Sequence, residues 1–252
     1  MLPILHDQNL TETLAYLRDV ALALGKFQQV FLAVEEHDWQ RGLVVVESGI
    51  ATQPFIVDGL QLQAVLDMKA GEVRIGEANW PLIEYSAQEI FNNLRVWLEA
   101  HNVSGTMQMP EFATLSVSFD PAQAAQIADC LYWFDAACQR LQASYDDGLV
   151  SPILLFPHHF DLSLVWFPHH NERQIGVGFS FGDEHIAEPY VYITVYPDST
   201  QPLQLLEPAY EHTAGFHGAI LRYHDLQSVP DPESLFDDFA QSTTQQLLNL
   251  LG

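Results

Sequence analysis

Basic side chains are scarce in this chain. Nine lysines and arginines stand against 33 aspartates and glutamates, a formal net charge of −24 over 252 residues. No basic cluster opposes that field, so phosphate backbones and anionic membrane surfaces are repelled, and neither nucleic acid nor membrane is expected as a partner. The acids are scattered and form no long runs, which reads as a solvated surface; an acidic nucleic-acid mimic is the sharper alternative.

Cysteine is nearly absent as well, with only Cys130 and Cys138. Eight residues apart on a helix, they stand about 12 Å apart along its axis, beyond the roughly 7 Å that a disulfide spans. Two buried, reduced thiols fit a cytoplasmic protein. No stretch of about 18 residues is free of charge and strong polarity, so no membrane-crossing helix is expected. The opening MLPILHDQNL has neither a basic n-region nor a long apolar run and does not read as a secretory signal.

Catalytic signatures are missing too. There is no GxSxG elbow, no GxxxxGK[ST] phosphate loop and no HExxH. Neither cysteine has a histidine nearby in sequence, and both fall on an apolar helix. The reading therefore leans away from an enzyme and predicts no cofactor.

What is present is a large apolar content, 48% hydrophobic and 12% aromatic, enough for a sizeable core. The stretch Ser151–Pro197 is the most strand-like and carries five of the eleven histidines. Within it Phe160, Leu162, Leu164 and Trp166 fall on one face of an extended chain, bracketed by Pro157 and Pro168. Upstream, Asn9 with Glu12 and Ser86 with Glu89 form capping boxes opening helices. Val30–Val34, Leu43–Val46, Phe55–Val57, Leu60–Leu66 and Val73–Ile75 read as strands, with Asp58-Gly59 as a hairpin turn. Asp120-Pro121 opens a long apolar helix to about Ser144, after a short strand at Leu115–Phe119. Ala219–Tyr223 reads as a strand, Asp231-Pro232 opens a last helix, and Gly176-Val177-Gly178 reads as a strand edge or bulge.

Connections between strands are short, which implies an α+β fold with mainly antiparallel sheets and helices packed on their faces. The chain reads as one compact unit, 1–252; the order helix, strands, helix, repeated, suggests two similar halves at about 1–110 and 111–252.

Several polar residues attract attention. His158-His159 and His169-His170 resemble four ligands, but an intervening strand holds the pairs roughly 36 Å apart, and loop-end histidines are the expectation. His212, His217 and His224, near Glu207, Glu211 and Asp225, are weak metal candidates at a spacing that matches no zinc motif. His37 and Trp39 sit in a charged loop that could line a pocket mouth. Asp67 and Asp161 lie in or beside apolar strand-like runs, where a buried carboxylate needs a partner. With Tyr192, these are the candidate ligand-binding residues. The expected role is binding of a small molecule or a protein partner; the alternatives are a hydrolase using a histidine–carboxylate set and the acidic mimic.

A further pattern is carried by residues taken in order. Gly25-Lys26 is followed by His37 and Trp39, then by Gly49-Ile50-Ala51-Thr52 with Pro54. Phe119-Asp120-Pro121, Ser151-Pro152 and Phe160-Asp161-Leu162 come next, and Glu188-Pro189, Tyr196-Pro197 and Pro230-Asp231-Pro232 complete it. Over most of its length the chain resembles the bacterial proteins grouped as domain of unknown function 5996. It departs from their pattern at Gln40 and Leu154, where the family tends to carry histidine. The resemblance implies the domain layout and no established activity, cofactor or catalytic residue.

Overall fold

The computed structural model describes residues 2–5, 10–113, 117, 119–168, 172–197 and 201–251. It is an α+β protein whose strand pairings between neighbours are antiparallel. The chain divides into two compact units. An N-terminal unit holds Pro3–Tyr132 and Leu154–Phe160, and a C-terminal unit holds Met1–Leu2, Trp133–Ile153 and Asp161–Gly252.

In the N-terminal unit, helix α1 (Leu10–Gln28) and helix α2 (Ala87–Ala100) accompany seven strands: β1 (Val44–Val46), β2 (Gly49–Ala51), β3 (Phe55–Val57), β4 (Leu60–Leu62), β5 (Ala64–Asp67), β6 (Glu72–Ile75) and β7 (Ala78–Pro81). Five of them form a sheet in the order β1-β2-β5-β6-β7, and β3 pairs with β4 as a separate hairpin. The hairpin turn has Asp58 at φ 51° and Gly59 at φ 80°, the left-handed pair that such a connection requires. Val73 and Ile75 of β6 are buried and alternate with more exposed residues, while Ile50 and Leu66 are buried together with their strand neighbours Ala51 and Val65. Ser86 accepts from the Glu89 amide while the Glu89 carboxylate accepts from the Ser86 amide and hydroxyl, so α2 begins on a complete capping box.

Helix α3 (Pro121–Gln142) starts where the Asp120 carboxylate accepts from the amides of Ala122 and Gln123. Its second half belongs to the C-terminal unit. There follow β8 (Leu149–Val150), β9 (Leu154–Phe156), β10 (Asp161–Phe167), β11 (Gln174–Ser180), β12 (Tyr190–Tyr196), β13 (Tyr210–His212), β14 (Gly218–Arg222), helix α4 (Tyr223–Ser228) and helix α5 (Pro232–Leu251). Within the C-terminal unit the strand order is β13-β14-β12-β11-β10-β8. One sheet face is apolar: Leu162, Leu164, Val177, Phe179, Val191, Ile193 and Leu221 are all buried. The Phe134 ring of α3 stacks on Phe179 at 3.9 Å, and Phe236 of α5 meets Phe134 edge-on at 6.1 Å.

Some expectations differ from the structure. Val30–Val34 is no strand. The end of α1 unwinds there, the Val30 amide donating to Phe27 and those of Phe31 and Leu32 to Gln28, so the helix end satisfies them. Phe31 then stacks on Phe55 at 4.1 Å, while Val34 is exposed. Tyr223 opens α4 and does not extend β14. Gly176 and Gly178 lie mid-strand, paired on both sides. They are open space for neighbours: a Cβ at Gly178 would lie 2.3 Å from the Tyr192 ring, and one at Gly176 would lie 2.9 Å from the Thr194 hydroxyl. His158 and His159 occupy an exposed turn with ring centroids 4.9 Å apart. Asn9, His169, His170 and most of the expected strand at 115–119 lie outside the described residues.

Candidate functional site

The residues singled out in the sequence are dispersed over both units. His37 and Asp38 adopt left-handed backbone, φ 65° and 59°, inside the short helical segment Glu36–Arg41. A buried glutamine network holds that segment. The Gln28 amide donates to the carbonyls of Gln40 and Gly42, its carbonyl oxygen accepts from the Gln53 amide, and Gln53 in turn donates to Trp39 and Gly42. His37 is left exposed, its ring 5.5 Å from that of Trp39. Asp67 ends β5 and braces the turn after it: it accepts from the Ala70 amide at 2.8 Å and pairs with Arg74 at 3.8 Å.

The three C-terminal histidines have separate partners. His212 contacts the Ala214 carbonyl at 2.6 Å and His217 contacts Glu211 at 2.8 Å. His224 lies between Glu188 at 3.0 Å and Asp225 at 3.2 Å. Among the described residues no three His, Cys, Asp or Glu side chains are grouped so as to hold a metal ion. Burial pushes the Cys138 thiol up to about 12, and Asp135 beside it adds to the effect, so this sulfur is protonated at neutral pH.

Two candidates do meet. The Tyr192 hydroxyl donates to Asp161 across two strands at 2.5 Å, passing over the space at Gly178. Burial, then the Asp161 charge, holds the phenol well above its ordinary range, so it stays a donor. The neighbouring Tyr190 makes the same kind of bond to Asp183 at 2.5 Å, and Asp183 also accepts from the amides of His185 and Ile186. This second pair latches the loop between β11 and β12.

Concave surface lies elsewhere. In the N-terminal unit a shallow cleft of about 560 Å³ includes Ser48, Gln61, Val65, Lys69 and Arg74. Its two bases are neutralised locally, Lys69 by Asp129 at 2.6 Å and Arg74 by Asp67. In the C-terminal unit a cleft of about 540 Å³ separates the turn after α3 from α5, with Tyr145, Asp146, Asp147 and Trp166 on one side and Gln241 and Gln245 on the other. Neither cleft is lined by one of the candidate ligand-binding or metal residues His37, Trp39, Asp67, Asp161, Tyr192, His212, His217 and His224.

The second cleft is firmly built. Tyr145 stacks on Trp166 at 4.3 Å and 9°, and the indole N–H donates to the Asp147 carbonyl at 2.7 Å. Gln142 donates to Ser151, tying the helix end to the strand side. Gly148, at φ 91°, lets the turn press against β10, since a Cβ there would lie 2.3 Å from the Phe167 carbonyl. The Tyr145 hydroxyl is buried with no hydrogen-bond partner among the described residues, and burial raises its pKa. In the sequence, Asp146-Asp147 reads as solvated surface. The signal that marks it is tertiary, an aromatic pair formed by residues 145 and 166 opposite a helix near residue 245.

The fold is that of an α+β protein with two larger antiparallel sheets and a separate two-stranded hairpin. A profile of the Family of unknown function (DUF5996) matches residues 2–176 and 169–251, and the chain belongs to that family. No curated protein matches the chain. No solved structure does either. Among the described residues no helix is long and apolar enough to cross a membrane.

Proposed function

We propose that this protein is a binding protein that takes a small molecule in the cleft between the Tyr145–Asp147 turn and α5. The observation that carries this reading is the cleft itself. Its volume of about 540 Å³ falls in the range of small-molecule sites. Its wall is a stacked tyrosine–tryptophan pair fixed by a hydrogen bond and a tight glycine turn. The N-terminal cleft is of similar size, but among the described residues its lining has no aromatic side chain, and its two bases are already paired.

A thermal-shift screen of a fragment library on the full chain tests the reading. A ligand of the native state raises Tm by mass action. Gln245 is exposed, so Gln245→Trp fills the cleft without disturbing the core. Fragments are expected to stabilise the wild type and to lose that effect in the variant. Fragments that stabilise both equally, or none that stabilises the wild type, would overturn the assignment.

A further inference from the structure

The occupant of that cleft can be assigned a chemical class, an inference that rests on the preceding reading. We infer that the ligand is a small organic cation, a primary or secondary ammonium on an apolar body. The first ground is the inventory of donors and acceptors. Most lining donors are already committed: the Trp166 indole to Asp147, the Ser144 hydroxyl to Leu141, the Thr244 hydroxyl to Ala240, and the Gln245 amide to Asn249, which leaves the Tyr145 hydroxyl and the Gln241 amide. The carboxylates of Asp146 and Asp147, both exposed, have no hydrogen-bond or ion-pair partner among the described residues. The cleft therefore presents acceptors and few donors, the complement of an N–H-rich cation.

The second ground is electrostatic. Among the described residues no lysine, arginine or histidine lines the cleft. Helix α3 ends at Gln142, so the two aspartates stand just beyond its C-terminus, where the helix dipole disfavours negative charge. The base in its last turn, Arg140, is occupied by Glu233 at 3.6 Å and Asp237 at 3.3 Å. Arg173, at the far end of α5, donates to the Leu251 carbonyl. Two adjacent carboxylates thus sit with no base against them among the described residues, and an incoming cation relieves their mutual repulsion. The third ground is the wall: the tyrosine–tryptophan pair offers apolar and π surface to the body of the ligand, and ring faces attract ammonium groups.

The test uses three probes of one shape and different charge: benzylammonium, benzyl alcohol and benzoate. Each is titrated into the ¹⁵N-labelled full chain while the Trp166 indole resonance and the amides of Asp146 and Asp147 are followed. A charge-assisted hydrogen bond corresponds to about tenfold in affinity or more. Benzylammonium is expected to give saturable shifts, at least about tenfold tighter than the other two probes. In the Asp146→Asn/Asp147→Asn double variant its affinity is expected to fall by a similar factor. Equal binding of the alcohol or of benzoate, or unchanged binding in the double variant, overturns the cation assignment and leaves the cleft as a site for another class. No saturable shift with benzylammonium also overturns the cation assignment; the fragment screen then decides separately whether the cleft binds anything.

Discussion

The two clefts are nearly equal in volume and opposite in charge accounting. In the N-terminal unit Lys69 and Arg74 each face a carboxylate of the same unit, so both bases of the cleft are compensated and Glu47 is its one lining charge outside an ion pair among the described residues. In the C-terminal unit Asp146 and Asp147 face nothing of opposite sign among the described residues. Charged residues in a depression do not by themselves indicate a ligand; charge that the protein leaves uncompensated does. In a chain carrying −24 overall, isolated acids are common. Acids fixed beside a stacked aromatic wall and beyond a helix C-terminus are a narrower case.

The comparison breaks most completely if the wall is removed. Trp166 is 8% exposed and stacked, and Trp166→Ala should destabilise the C-terminal unit by about 3–5 kcal/mol, read by urea denaturation. Gly148→Ala comes next. The positive φ and the 2.3 Å approach to the Phe167 carbonyl predict a loss of about 1–3 kcal/mol together with loss of ligand-induced stabilisation. A sharper contrast follows from changing charge alone. Lys69→Gln breaks a partly exposed pair and should cost about 0.2–1 kcal/mol, less at high salt. Asp146→Asn/Asp147→Asn should leave stability unchanged or raise it by about a few tenths of a kcal/mol, because it removes charge from the wrong end of a helix. Opposite signs of ΔTm for the two changes, measured side by side, would support the contrast; equal losses would refute it.

The smallest effect concerns acid stability. Burial alone would raise the Asp183 carboxyl, but the Tyr190 hydroxyl and the amides of Ile186 and His185 outweigh it and hold the group below its ordinary 3.8. A depressed native pKa adds stability that is present above the unfolded value and lost as pH falls through the native one. The Tm difference between wild type and Asp183→Asn should therefore be full above about pH 4 and shrink below it. A difference that does not change with pH would exclude the linkage.

Local chemistry was legible in the sequence. Ser86 with Glu89, Asp120-Pro121 and Asp231-Pro232 open helices because cap and first turn lie within three residues of each other. The period-two pattern from 160 to 167 marked β10 for the same reason, although the strand begins at Asp161 and Phe160 has left-handed backbone, φ 55°. Val30–Val34 misled because an apolar run does not reveal whether its amides go to a sheet or to the end of the preceding helix. Asp161 and Tyr192 were each conspicuous, but their bond spans 31 positions and depends on Gly178 between them. The cleft was invisible because its aromatic wall and its far side meet only through tertiary packing.

Gly178 and Tyr192 also constrain how relatives of this chain can diverge. One position is empty because the other is full, so their volumes should vary inversely across an alignment: where the phenol shrinks, the glycine becomes free to gain a side chain. Asp161 would then lose its hydroxyl donor and is expected to change with them, making three separated columns a single unit of substitution.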